Sequence, residues 1–196
     1  MELSKDQQIW FDTIYDWYKS CKYNSTSIVM SGFAGTGKTT ILGNLVDTFH
    51  KEGISVACAT FTGKASIVLS QKINNYPNNY IGTIHGLIYK QVIDKTGMLS
   101  GFKRAKSIDF DVIIVDECSM INKEIQKDLL SFCVPVVFIG DSFQLPPISN
   151  DNFNIFDKTK YELKTIHRQA ENSPIIKLSM RIRNGDYIDY GIYGQG

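Results

Sequence analysis

The sequence predicts an α/β fold in which a mostly parallel β-sheet carries helices on both faces. Four short segments are apolar throughout, at 27–32, 54–60, 111–117 and 134–141. Strands of this kind are buried on both faces, as in parallel sheets. Segments with helical spacing alternate with them, which is the order typical of strand–helix–strand units. The length of 196 residues suits one domain with a sizeable core.

The helices are predicted from apolar spacing and from their end signals. Over 4–20, aromatic and aliphatic side chains share one helical face, and Ser4 and Gln7 have the spacing of a capping box. The polar stretch 73–80 predicts a loop. Further helices are predicted at 38–50, 63–72, 122–132 and from Ser173 and Pro174 to the Asn-Gly pair at 184–185.

The segment 88–106 interrupts this alternation. It alternates over 89–94, has a turn signal at 95–97 and is locally basic. A small hairpin and a plain connector fit this pattern equally well.

Composition restricts the class of protein only broadly. The formal net charge of +1 neither requires nor excludes a nucleic-acid partner. No two cysteines have C-x-x-C spacing, which makes zinc or thioredoxin-like chemistry unlikely, and Cys58, Cys118 and Cys133 are expected to be buried thiols. No signal peptide or membrane-spanning run is seen, so we expect a cytoplasmic protein.

The stretch "GFAGTGKT" at 32–39 matches G-x-x-x-x-G-K-[ST] between a predicted strand and a predicted helix. Glycines allow backbone N–H groups to turn toward a phosphate, and the helix N-terminus adds its positive end. Lys38 would reach the β- and γ-phosphates of a nucleotide, and the Thr39 hydroxyl would bind Mg²⁺. The phosphate-binding residues predicted are Gly32, Phe33, Ala34, Gly35, Thr36, Gly37, Lys38, Thr39 and Thr40.

Two further motifs follow buried strands. Asp116 and Glu117 end the third one, where Asp116 can hold Mg²⁺ and Glu117 can polarise an attacking water. Gln144, in "GDSFQLPPI" after the fourth, is placed to bond the γ-phosphate or that water. Because ligands bind at the carboxyl edge of such sheets, the three motifs predict one nucleotide site.

Seven motifs together resemble the superfamily 1 DNA helicases of the RecD/Pif1-like group, in particular the phage Dda type. In chain order they are "LSKDQQ", "GFAGTGKT", "ATFTGKAS", "TIHGLI", "VDECSM", "GDSFQLPPI" and "LKTIHRQ". The resemblance implies a RecA-like P-loop NTPase fold that uses ATP and Mg²⁺ and moves along single-stranded DNA in the 5′-to-3′ direction.

The resemblance also implies roles for individual residues. Gln7 matches the glutamine that reads the adenine edge, and Arg168 matches the arginine finger on the γ-phosphate. Arg168, Lys38, Glu117 and Gln144 form the predicted catalytic set, and Gln7 belongs to the predicted nucleotide-binding residues. The segment 88–106 falls where the group inserts a pin or wedge. The predicted DNA-contacting residues are Phe61, Thr62, Lys64, Thr83, His85 and Pro146.

Helicases of this group need a second RecA-like domain. We therefore expect residues 1–186 to be the first motor domain and residues 187–196 to begin the connection to the second. Such a chain would be a monomer with weak or no ATP turnover by itself, and replication or recombination proteins are further expected partners. Two alternatives remain at this stage: a P-loop nucleotide kinase, and a GTPase-like switch, although no N-K-x-D guanine motif is present.

Overall fold

The structure is a computed structural model that describes residues 2–21, 26–147, 153–159, 161–163, 174–183, 185–188 and 191. Its helices are α1 (Lys5–Ser20), α2 (Lys38–Lys51), α3 (Gly63–Ser70), α4 (Ile84–Ile88), α5 (Lys123–Leu130) and α6 (Pro174–Arg183). Its strands are β1 (Ser27–Gly32), β2 (Val56–Thr60), β3 (Tyr80–Thr83), β4 (Tyr89–Ile93), β5 (Leu99–Arg104), β6 (Val112–Asp116), β7 (Val136–Gly140) and β8 (Tyr161–Leu163).

The main sheet has six strands in the order β3-β2-β6-β7-β1-β8, and all of its pairings are parallel. The predicted α/β class with a mostly parallel sheet is therefore confirmed. Strand β1 lies beside β7, while the chain crosses to the far side of β6 and β7 to form β2.

Each central strand supplies two separate cores, because successive side chains point to opposite faces. In β6, Ile114 packs into the core shared with α1 and α2, and Val115 packs into the core shared with α4 and α5. Helices therefore cover both faces, as predicted. Because both faces of these strands are buried, their sequences are apolar throughout and do not alternate between apolar and polar residues.

The predicted capping box begins α1. The Ser4 hydroxyl accepts a hydrogen bond from the Gln7 backbone N–H at 3.3 Å, and the Gln7 side chain accepts one from the Ser4 N–H at 3.0 Å. At the other end of the chain, α6 begins at Pro174 and stops before Gly185, whose φ of 76° breaks the helix. Ser173 and Asn184 lie outside the described residues.

The segment 88–106 contains an antiparallel hairpin, β4–β5, outside the main sheet. In its turn, the Asp94 carboxylate accepts bonds from the Thr96 N–H at 2.8 Å, the Thr96 hydroxyl at 2.5 Å and the Met98 N–H at 3.0 Å. At its base, the Tyr89 hydroxyl donates to Asp128 of α5 at 2.5 Å. The hairpin is thus anchored to the domain at one end only.

Three elements were not predicted. Strand β3 has four half-buried residues with no apolar run, α4 is a single short helix, and β8 has three residues. The expectation that Cys133 is buried was wrong: it is exposed, at φ 57° in the turn after α5, whereas Cys58 and Cys118 are buried. Among the described residues, no helix is both long and apolar enough to cross a membrane.

Candidate functional site

Three motif loops meet at the carboxyl edge of the sheet. Strands β6, β7 and β1 are neighbours in that order, and they end at Asp116, Gly140 and Gly32. Residues 32–39, the Asp116-Glu117 pair and the loop 141–147 therefore lie side by side. Open parallel sheets bind ligands at this edge.

The phosphate loop, residues 32–39, has the backbone that its glycines predict. Gly35 and Gly37 have φ values of 80° and 85°, a region that residues with a side chain rarely adopt. Gly32 is needed for space, since a Cβ there would lie 3.2 Å from both Leu163 Cβ and Thr36 Oγ1. Helix α2 begins at Lys38, so the last two residues of the loop form its first turn. The loop therefore fits the predicted phosphate cradle.

The Lys38 amine lies inside the curve of this loop. It donates to the backbone carbonyl of Gly32 at 2.7 Å and to that of Phe33 at 3.0 Å. The Thr36 hydroxyl also donates to the Phe33 carbonyl, at 2.8 Å. The Lys38 ammonium group, which is predicted to bind phosphate, therefore also stabilises the loop.

Gln7 connects α1 to the phosphate loop. Its side chain is 4% exposed, and its Nε2 donates to the Thr36 backbone carbonyl at 3.0 Å while Oε1 serves the capping box. It also lines the large cleft beside the loop. Its predicted contact with adenine stays a prediction.

Asp116 is a buried carboxylate at the end of β6. Burial raises its pKa, and this effect is opposed by the bond that it accepts from the Glu117 N–H at 3.0 Å and by the positive charge of Lys38. Burying a carboxylate costs free energy, and this cost is consistent with a side chain that binds a cation together with the substrate. No cluster of three or more metal-ligating side chains occurs in the described part of the chain. Proteins commonly hold Mg²⁺ through one or two side chains plus substrate phosphates, and Asp116 is a side chain of that kind.

Glu117 has a left-handed backbone, with φ 54° and ψ 46°. For a residue with a side chain this conformation costs on the order of 1 kcal/mol or more. It ends β6 and begins the 3₁₀ turn Cys118–Met120. Strain of this kind clusters at functional sites, which supports the predicted role of Glu117.

We expect Asp116→Asn to raise the free energy of unfolding by about 1 kcal/mol without nucleotide and Mg²⁺, since polar residues at functional sites are often held at a cost in stability. Because burial raises the pKa of Asp116, the folded parent binds a proton more readily than the unfolded chain does, and its stability should rise as the pH falls through that pKa. The variant should lack this rise.

Thermal unfolding at several pH values, with and without Mg-ATP, measures both effects. The control is Asp109→Asn, at an exposed carboxylate. A variant that is less stable than the parent at neutral pH without Mg²⁺ would contradict the prediction.

The loop 141–147 is bonded to both of its neighbours. The Ser119 hydroxyl donates to Gln144 Oε1 at 2.9 Å, and Ser31, just before the phosphate loop, donates to the Ser142 hydroxyl at 2.9 Å. The Phe33 and Phe143 rings meet edge to face with centroids 5.5 Å apart. Sequence reasoning missed Ser31 and Ser119, because nothing local distinguishes them from other serines.

Two cavities adjoin this edge. The larger, about 1060 Å³, runs from Gln7 past Lys38 along α2. The smaller, about 270 Å³, is lined by Asp116, Glu117 and one side of α3. Thr39 and Lys72 line both cavities. Lys72, which was not predicted, also lowers the pKa of Asp116 through its charge.

The predicted DNA-contacting residues lie at the ends of β2, β3 and β7. Thr62 and Thr83 cap α3 and α4 through their hydroxyls, accepting bonds from Ala65 N–H at 3.2 Å and Gly86 N–H at 3.0 Å. The Phe61 ring lies 6.1 Å from that of His85, edge to face. Lys64 lines the smaller cavity, and Pro146 is exposed beyond β7. The structure thus brings the β2 and β3 residues together, and β6 separates them from Pro146.

The remaining predicted catalytic residue, Arg168, lies outside the described residues. Of the other three, Lys38 and Glu117 border the cavities, and Gln144 is exposed on the adjoining loop and held by Ser119.

Comparison with known proteins gives consistent relatives. Residues 18–193 match the family model described as "AAA domain". The ATP-dependent RecD2 DNA helicase of Deinococcus radiodurans is 26% identical over 173 residues, which cover 84% of this chain and 22% of that protein. The ATP-dependent DNA helicase dda of Enterobacteria phage T4 is 26% identical over 181 residues, which cover 86% of this chain and 40% of that protein.

A solved structure from a study of DNA unwinding at forked double-stranded DNA by two coordinating Pif1 helicases superposes with a TM-score of 0.62 at 25% identity. It covers 94% of this chain and 48% of the Pif1 chain. The chain spans less than half of each of these three proteins. The chain belongs to the AAA domain family, and its relatives and motifs identify it with the superfamily 1 helicases of the RecD/Pif1-like group.

Proposed function

We propose that this chain is the first motor domain of an ATP-dependent DNA helicase of the 5′-to-3′ group, which couples ATP hydrolysis to movement along single-stranded DNA. The observation that carries the proposal is the shared edge of the sheet. The phosphate loop, Asp116 and Glu117 border one pair of cavities, and the Phe61–His85 pair lies beyond them at the ends of β2 and β3.

In the proposed mechanism the chain binds ATP in the larger cavity, with Gln7 at the adenine and Lys38 and the loop amides on the phosphates. Thr39 and Asp116 would hold Mg²⁺, which when bound neutralises phosphate charge. Glu117 accepts a proton from the attacking water, and Gln144, fixed by Ser119, orients that water. Arg168 is proposed as the arginine finger, an element worth roughly 10³–10⁵ in rate in other NTPases.

The hydrogen bonds and ring contact among the three loops support coupling between nucleotide binding and DNA binding. A displacement of the phosphate loop reaches the loop 141–147 through the Ser31–Ser142 bond and the Phe33–Phe143 contact. The same loop contains the proposed DNA residue Pro146. We propose that a second RecA-like domain closes on this edge in the complete protein, and that β4–β5 is the pin that divides the strands. The cytoplasmic location and the replication or recombination partners remain expectations.

Single-turnover hydrolysis, with the chain in excess over labelled ATP, tests the reaction. We expect slow release of ADP and phosphate that single-stranded DNA accelerates, and weaker binding of GTP than of ATP. Transfer of the label to a nucleoside monophosphate on thin-layer chromatography would instead identify a nucleotide kinase. Preference for GTP would identify a switch. The comparisons favour neither alternative.

Phe61→Ala should weaken binding of oligo(dT) by about 1–3 kcal/mol, the usual contribution of one stacked base. Because the half-buried Phe61 also packs against the core beside α4, the matched variant is Phe61→Leu. It keeps apolar bulk but removes the aromatic face, so it should lose DNA affinity while retaining thermal stability. Fluorescence anisotropy gives the affinity. Unchanged affinity in both variants would place the DNA path elsewhere.

A further inference from the structure

The hairpin β4–β5 has two chemically different faces. Its register pairs Tyr89 with Arg104, Lys90 with Lys103, Gln91 with Phe102 and Val92 with Gly101. Because side chains alternate between the faces, the pairs at Tyr89 and Gln91 share one face and those at Lys90 and Val92 share the other. We call these the anchored face and the lysine face.

The anchored face joins the domain at its base. Tyr89 bonds Asp128, and the Arg104 guanidinium donates to the Ser131 hydroxyl and lies 5.6 Å from the centre of the Phe132 ring. Tyr89 also lies 5.5 Å from His85, which continues toward Phe61. This face therefore adjoins the proposed path of the tracked DNA strand, and its outer part carries Gln91 and Phe102, the latter 64% exposed.

The lysine face carries a like-charge pair. Lys90 and Lys103 are directly opposite one another and both are exposed. Among the described residues, no carboxylate lies within ion-pair distance of either amine. Like charges directly opposite one another in an antiparallel pair destabilise it.

The charge of the segment 88–106 reinforces this feature. It holds five of the 21 lysine and arginine residues of the chain and only one of the 20 acidic residues. That acidic residue, Asp94, is engaged in the hairpin turn. The remainder of the chain is therefore net acidic, and positive charge is concentrated on a hairpin that lies outside the main sheet.

We propose that the lysine face binds the phosphates of the second DNA strand, the one displaced from the strand that passes the anchored face. The proposal depends on the DNA function proposed above. A polyanion supplies the counter-charge that the Lys90–Lys103 pair lacks, and the lysine face points away from the Phe61–His85–Tyr89 row. The two strands of a fork then contact opposite sides of one two-stranded sheet.

Salt dependence of binding tests the proposal, because each phosphate contact contributes about one unit to the slope of log affinity against log salt. The probes are a fluorescein-labelled fork with two oligo(dT) tails and the single oligo(dT) strand. Lys90→Gln and Lys103→Gln should each lower the fork slope by about 1, and the double variant by about 2. The slope for the single strand should not change. Lys51→Gln, at the end of α2, is the control.

A charge reversal separates binding from folding. Lys103→Glu converts the like-charge pair into an opposite-charge pair, so it should leave the thermal midpoint equal to or above that of the parent. It should nevertheless weaken fork binding more than Lys103→Gln does. This combination of retained stability and reduced affinity is not expected of a merely structural lysine.

The outcomes distinguish this inference from the proposed function. If the parent binds both DNAs with salt dependence but the double variant keeps the parental fork slope, the inference alone is wrong. Equal loss of slope for fork and single strand would place the lysines on the tracked strand and would also overturn it. Absence of salt-dependent binding by the parent would overturn the proposed function and this inference together.

Discussion

Lys38→Ala is expected to reduce single-turnover ATP hydrolysis by a factor of about 100 or more, the usual cost of removing one donor that stabilises developing negative charge. The amine donates to the carbonyls of Gly32 and Phe33 at the centre of the phosphate loop, so no neighbouring side chain of the loop replaces its charge. ATP affinity should fall as well, and Mg-ATP should no longer raise the thermal midpoint.

Thermal unfolding without ligand controls for damage to the loop. The loop borders the large cleft, so water can take the place of the amine at the two carbonyls, and stability should change by no more than about 1 kcal/mol. Lys38→Arg keeps the charge but replaces a point-like ammonium with a planar fork, and it should recover affinity only in part. Parental turnover in Lys38→Ala would show that the loop does not bind the reacting phosphate.

Glu117→Gln should bind Mg-ATP as the parent does and lose hydrolysis by a factor of about 10²–10⁴, the range for a general base. The amide has the same shape but does not accept a proton. Asp116 is unchanged in this variant and remains available for the metal. The comparison variant is Glu124→Gln, an exposed carboxylate in the first turn of α5.

Binding and chemistry must be measured separately for this variant. Equilibrium binding of a fluorescent ATP analogue gives affinity, and single-turnover release of phosphate gives the rate. If both fall together, Glu117 acts mainly in binding. If the rate equals that of the parent, another group activates the water.

The features that depend on local sequence could be predicted. The Ser4–Gln7 capping box, the continuously apolar strands and the glycine loop each follow from residues close together in the chain, and the structure contains all three. The hairpin at 88–106 was predicted only as one of two options, because its alternation covers few residues.

Features that depend on strand order could not be predicted. Strand β8 has three residues, too few to give an alternation signal, and it forms where it pairs with β1 and buries Leu163. Ser119 meets Gln144 across 25 positions, and Ser31 meets Ser142 across 111. Such pairs arise because β6, β7 and β1 become neighbours. The left-handed backbone of Glu117 also has no local signal, since such a conformation normally indicates glycine.

The order of the strands has a consequence for synthesis of the protein on the ribosome. The phosphate loop is translated early, but β1 pairs with β7 and β8, so Ser27 aligns with Val136, and the Phe33 N–H donates to the carbonyl of Leu163. Contacts between residues so far apart in sequence form late, after loop closure has been overcome. A nascent chain therefore carries the nucleotide motif long before it has a nucleotide site. Until β7 and β8 emerge, the apolar edge of β1 is unpaired, and this interval is when the chain is most exposed to aggregation.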